Sequence, residues 1–338
     1  MPEQTPLPWE PAVYEHKAAL LAKTPGEVSR SAALLTEALL AEYDLYRADY
    51  MTVGLDVYNV EAEALGARLT VPSETACPEI AASIFDLNDL PKHLTPPAIP
   101  ASGRFQLLLD AAKKAAATIG GQTHIRLAAS GPVTLAVNLA GLEPVIMSLC
   151  TEDGHARRLL DFANHVIKDW LGCIRNNDLD AAVFDSMAGP PMFSPHMYET
   201  VVRPLHRDLM RTLESSGQRE RELVIGGDTT PVAGMLPATG ATMILCDYAA
   251  EAQAFANALP RGRSLRVRRN VDPTSLVRDD PARLADTFCR DLECFENPVA
   301  GTGILPYDFP PNAFLAFKDA VQTKFGNRQI PHTSHTPK

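Results

Sequence analysis

A short apolar or β-branched run that stops on polar groups, followed by a helical stretch, recurs along most of this chain. Such runs begin near residues 51, 124, 181, 223, 241, 264 and 299. Met51-Thr52-Val53-Gly54-Leu55-Asp56 and Ala181-Ala182-Val183-Phe184-Asp185-Ser186 are two of them, and Leu223-Val224-Ile225-Gly226-Gly227-Asp228-Thr229-Thr230 is the sharpest. Strands that are apolar throughout are buried on both faces, and strands that alternate with helices pair in parallel. Seven strands can be placed this way, and an eighth is expected between residues 67 and 123. Eight close into an α/β fold of the (β/α)8 TIM-barrel type, with the functional groups at the C-terminal strand ends. With 338 residues, 46% of them hydrophobic, the chain can bury one such core.

The strand ends supply the candidate site. Asp56, Asp228 and Asp272 each stand where a strand stops, as does Asp185. Asn59 and Glu63 join Asp56 if residues 59–66 turn helical, because positions four apart share a face. Gly227 lets a ligand approach the backbone closely. The Ser130-Gly131-Pro132 turn feeds a helix whose free N–H groups favour an anion, and Asn138 lies four residues past Thr134 on that helix. Asn270 and Tyr307 close two of the later runs. Arg261, Arg263, Arg266, Arg268 and Arg269 gather positive charge in an acidic chain. Arg266 and Arg268 alternate along a strand and so share a face. That pair either clamps a carboxylate or phosphate at the barrel mouth, or is matched by acids of the barrel, or sits on the outer face. His124, the first residue of its strand, is expected at the barrel bottom.

The flanks read differently. Residues 1–12 carry four prolines, so 1–26 is expected to be an N-terminal arm, 27–325 the barrel and 326–338 a polar tail. The proline-dense stretch 70–103 is expected to run as a long excursion over one face. A formal charge of -10 excludes nucleic acid as the natural partner and favours a small-molecule substrate. Neither an apolar run long enough for a membrane span nor a signal-peptide pattern is present, which points to the cytoplasm. The six cysteines lack metal-finger spacing, so no metal site is expected. A homodimer is compatible with all of this.

Several motifs occur in register. They are Gly54-Leu55-Asp56-Val57-Tyr58, Ser130-Gly131-Pro132-Val133-Thr134-Leu135, Asp185-Ser186-Met187-Ala188-Gly189, Gly227-Asp228-Thr229-Thr230, Asn270-Val271-Asp272-Pro273 and the turn from Pro306 to Asn312. Together they resemble the uroporphyrinogen decarboxylase superfamily, which includes corrinoid-dependent methyltransferases. In the decarboxylase branch the resemblance makes Asp56 the aspartate that holds pyrrole N–H groups. In the thiol-methylating branch it sets Val224, Gly226 and Gly303 where zinc ligands stand. The resemblance thus implies a zinc-independent methyltransferase that moves a methyl group between a corrinoid and a tetrahydrofolate-type acceptor. The corrinoid would be supplied by a partner protein, with no cofactor tightly bound. Asp228, Asp272, Asn270 and Asn138 would serve the acceptor, with Asp185 assisting. A metal-free decarboxylase or lyase acting on a small acid or tetrapyrrole is the alternative, and a non-catalytic binding subunit is a third reading.

Overall fold

The computed structural model describes residues 7–96, 103–260 and 264–328. Arg261, Arg263 and the tail from residue 329 lie outside the described residues. Eight parallel strands form one sheet: β1 (Trp9–Ala12), β2 (Tyr50–Val53), β3 (His124–Ser130), β4 (Asp180–Phe184), β5 (Glu222–Val224), β6 (Met243–Cys246), β7 (Arg266–Val271) and β8 (Asn297–Ile304). The hydrogen-bonded order runs β1-β8-β7-β6-β5-β4-β3-β2. The ring is closed between its first and last members by Asp49, whose N–H donates to Trp9 O at 2.9 Å and whose carboxylate accepts from Trp9 N at 2.7 Å. The fold is the expected (β/α)8 barrel.

The eighth strand is not between residues 67 and 123. It is β1, inside the segment expected to be an arm, and all four of its residues are buried. Two features hide it from the pattern of the others. Pro11 sits where the register between β1 and β8 shifts, and proline lowers any strand expectation. Glu10 points into the barrel, so the run lacks apolar continuity. What holds β1 in place is Trp9, whose ring packs edge-on against Phe314 at 5.5 Å and Phe317 at 6.1 Å. Those aromatics lie on the final helix, Pro311–Arg328.

The helices form where caps start them. Thr24 and Glu27 make a reciprocal capping box, with Glu27 N donating to Thr24 Oγ1 at 3.2 Å. That helix is one turn long, Pro25–Val28, and Ser31 caps a separate helix over Ala32–Tyr46. Residues 67–96 contain a two-residue antiparallel ladder, Leu69–Thr70 with Glu79–Ile80, and a 3-10 turn at Leu87–Asp89. Among the described residues no single helix is long and apolar enough to cross a membrane. The adjoining apolar helices Pro132–Ala140 and Leu142–Thr151 bend by 109°.

Inside the ring, the middle layer is charged. Glu10, Arg126, Glu222 and Arg268 are all buried there. Arg126 meets Glu10 at 2.6 Å and Glu222 at 2.9 Å, while Arg268 meets Glu222 at 3.2 Å and also pairs with Glu10. Two positive and two negative groups therefore neutralise one another. Below them, His124 bonds to Asp180 at 2.6 Å and Glu220 at 3.2 Å, the structural role expected at the bottom of the barrel.

Candidate functional site

The C-terminal strand ends enclose a chamber of about 230 Å³ on the barrel axis. Every strand except β3 contributes to its wall. Tyr14 follows β1, Tyr58 follows β2, Ser186 follows β4, Asp247 and Tyr248 follow β6, and Asn270 and Thr302 come from β7 and β8. Arg268 forms part of the floor, already engaged by Glu10 and Glu222. Gly226 and Gly303 leave room for it. A Cβ on Gly303 would come within 2.6 Å of the Tyr248 ring, and one on Gly301 within 2.4 Å of Asn270 Oδ1. Small residues at β8 thus let the side chains of neighbouring strands reach the axis.

The polar groups of this chamber are only partly satisfied. Asn270 is 5% exposed, and its side-chain oxygen has no hydrogen-bond partner among the described residues. An unpaired buried acceptor is unusual, and this one borders the chamber. Ser186 Oγ donates to Tyr58 Oη at 2.9 Å. Burial raises the pKa of Tyr58, and of Tyr14 still further, so both stay protonated donors. Asp247 holds the chamber's carboxylate. Burial pushes its pKa up against the opposing hydrogen bond from Ala249 N and the nearby Arg268, which makes it a stronger base than a surface aspartate.

A second cavity of about 490 Å³ adjoins the chamber, sharing Tyr14, Tyr58 and Ile304 with it. Asp56, Asn59 and Asn138 line it together with Cys77 and Pro78. The expected grouping of Asp56, Asn59 and Glu63 is present, organised by a residue that the motif did not indicate. Arg104 pairs with Asp56, reaches Asn59 Oδ1 at 3.1 Å and meets Glu63 at 2.9 Å. Burial raises the pKa of Asp56 although Arg104 opposes it, and Asp56 Oδ2 is left without a partner. Glu63 also binds Arg30 at 3.0 Å, and Asn138 donates from Nδ2 to Tyr58 O at 2.5 Å.

Other expected site residues sit elsewhere. Asp185 is fully buried behind the wall and does not face a ligand. It accepts from Val133 N at 3.3 Å and Thr134 N at 2.7 Å, and His206 Nε2 lies 2.8 Å away. The helix N-terminus expected to attract an anion has thus taken its own carboxylate. Gly131 permits this, since a Cβ there would fall 2.0 Å from Asp185 Cγ. Asp228 is exposed, holding a turn by accepting from Thr230 N at 3.0 Å. Asp272 caps helix Pro273–Arg278 through Thr274 N at 2.9 Å. Neither acid lines the chamber or the adjoining cavity. Asp56, Asp228 and Asp272 therefore do not converge, because strand-end aspartates serve equally well as turn and cap acceptors. Gly227 adopts φ +77°, which glycine allows, beside Gly226 in the wall.

Arg266 and Arg268 do share the inner face, but not as a clamp at the mouth. Arg266 begins β7 at the far end, 2.8 Å from Glu220, and Arg268 belongs to the neutral charged layer. Tyr307 donates to Lys23 O at 3.0 Å, tying the loop after β8 to the N-terminal segment. Tyr14, Ser186, Asp247 and Tyr248 line the chamber beyond the residues that the strand-end pattern indicates. Asp247 and Tyr248 close a run of the recurring type, which was the available signal. Among the described residues no group of three or more His, Cys, Asp or Glu side chains is placed to hold a metal ion.

Comparison with known proteins agrees with this architecture. A methyltransferase from Methanosarcina mazei has the same fold, with a TM-score of 0.81 at 19% identity over 96% of this chain and 95% of that one. No curated protein matches the sequence. The profile described as Uroporphyrinogen decarboxylase (URO-D) matches residues 11–323, which takes in the barrel from β1 almost to the end of the last helix. With the match running from within β1 through β8 and most of the last helix, the chain belongs to the uroporphyrinogen decarboxylase family.

Proposed function

We propose that this protein is a methyltransferase that passes a methyl group from a corrinoid, carried by a partner protein, to a nitrogen acceptor of the tetrahydrofolate type. The observation that carries the reading is the charge balance under the mouth. Arg126 and Arg268 are spent on Glu10 and Glu222, so the floor offers no unmatched cation to a substrate rich in carboxylates. Hydroxyls, one open amide oxygen and one carboxylate suit a hydrogen-bonding heterocycle instead. The volume agrees, because about 230 Å³ is below the range of roughly 300–1,000 Å³ for sites that enclose a whole drug-sized ligand. A single ring system fits there, and the remainder of the acceptor extends past Tyr14 and Tyr58 into the adjoining cavity. The likeness to a methyltransferase from Methanosarcina mazei supports the same reaction class.

In this reading Asn270 accepts a ring N–H and the tyrosines fix the ring plane. A corrinoid would supply the methyl group and retain the electron pair of the bond that breaks, the acceptor nitrogen would supply the pair for the new N–CH3 bond, and Asp247 would take the proton that the nitrogen loses. A methylcobalamin and tetrahydrofolate assay tests this by loss of the methyl-cobalt absorbance. Turnover that falls at least about tenfold in Asn270→Ala and in Asp247→Asn, with melting unchanged, is the expected result. Absence of both turnover and binding of either compound removes the proposal.

One observation favours a decarboxylase or lyase as a second reading. Asp56 Oδ2 is buried and unpartnered in the adjoining cavity, beside Arg104, as a carboxylate awaiting substrate N–H groups would be. Carbon dioxide release from a small acid that collapses in Asp56→Asn, with no methyl transfer, would select it.

A further inference from the structure

Outside the mouth, segment 91–96 leans on the outer face of helix His155–Arg175 and leaves a groove of about 370 Å³. We propose that this groove binds a small anion with an apolar body, held by its phosphate or carboxylate head group. Lys92, His93, Arg158 and His165 line it, and Asp161 is the single carboxylate among the lining residues. That is a local reversal of sign in a chain of formal charge -10. Arg158 and His165 are seven positions apart, which sets them two turns apart on one helix face.

The arginine is the decisive group. Arg104, Arg126, Arg175, Arg268 and Arg269, all largely buried, each meet a carboxylate. Arg158 is half-buried, its Nε is enclosed, and it makes neither an ion pair nor a hydrogen bond among the described residues. A buried charged donor left unpaired is costly, so its natural complement is an external acceptor. His165 Nδ1 donates to Asp161 O at 2.7 Å, which fixes that ring along the groove. The apolar body has a place on Leu94 and the buried ring of Phe162, which Phe85 holds edge-on at 6.2 Å. Enclosure of this size suits a small molecule better than a peptide. No lining residue is shared with the chamber or its adjoining cavity, so the site stands apart from the proposed methyl transfer.

Titration calorimetry of the full chain at fixed ionic strength tests this with phenyl phosphate, benzoate and inorganic phosphate. Phenyl phosphate or benzoate should saturate at one per chain and bind more tightly than inorganic phosphate, the stronger of the two naming the head group. Arg158→Ala should raise its Kd at least about tenfold. Should that variant melt early, the exposed Lys92→Ala replaces it, with a smaller rise in the same direction. Absence of saturation by all three probes, or an unchanged Kd in the folded variants, overturns the proposal. So does binding of a glutamate-rich peptide where the small anions fail.

Discussion

The charged layer inside the barrel makes a quantitative prediction. Glu10, Arg126, Glu222 and Arg268 are each 3% exposed or less, so water does not screen them. Replacing one carboxylate by its amide leaves two guanidinium charges facing a single carboxylate. Breaking a buried pair in this way costs about 3–5 kcal/mol. Unfolding entropy of about 2.1 cal/mol/K per residue over 338 residues amounts to about 0.7 kcal/mol/K, so Tm should drop by about 4–7 °C. The two acids are not equivalent. Burial pushes both carboxyls up, but Arg126 and Arg268 outweigh it at Glu10 and hold that group below the usual range, while Glu222 stays above it. Glu10→Gln should therefore cost more than Glu222→Gln. Removing an opposite pair restores neutrality, so Arg126→Met/Glu222→Met should melt above either single variant. Calorimetric melting at pH 7 measures all of these. A double variant that loses the sum of the two singles, or a Glu10→Gln protein that melts like wild type, refutes the reasoning.

Three further outcomes follow from the same geometry. Burial lowers the pKa of His124, but hydrogen bonds to Asp180 and Glu220 outweigh it and raise the group from 6.5 to about 9. Its stabilising contribution is therefore complete below about pH 6.5 and lost as pH rises to about 9, so the wild-type advantage over His124→Gln in urea unfolding should shrink across that window. Asp185→Ala strips acceptors from Val133 N, Thr134 N and His206, and should cost about 3–5 kcal/mol of stability by urea unfolding, or the assigned role is wrong. Asp228→Ala and Asp272→Ala each remove a turn or cap acceptor worth about 1 kcal/mol and should leave turnover within about twofold in the methyl-transfer assay. A tenfold loss would return these acids to the site.

Hydrophobic runs ending in polar groups determined the strand count almost completely, because a strand buried on both faces must be apolar along its length. That is why Met51, Ala181 and Leu223 announce their strands, and why β1 does not. Trp9-Glu10-Pro11-Ala12 becomes a strand only when Phe314 and Phe317, three hundred residues away, cover Trp9 and the barrel arginines receive Glu10. Sequence also indicated which residue types stand at the strand ends, and it brought Asp56, Asn59 and Glu63 to one place through helical spacing. It did not reveal Arg104 as their common partner, since nothing local links residue 104 to residue 56. The largest difference concerns the acids. An aspartate after a strand has the same local pattern whether it caps a helix, as Asp272 does, closes a turn, as Asp228 does, or lines the chamber, as Asp247 does. Which of these happens depends on the tilt of the strand and on what packs behind it, and only the closed ring decides that.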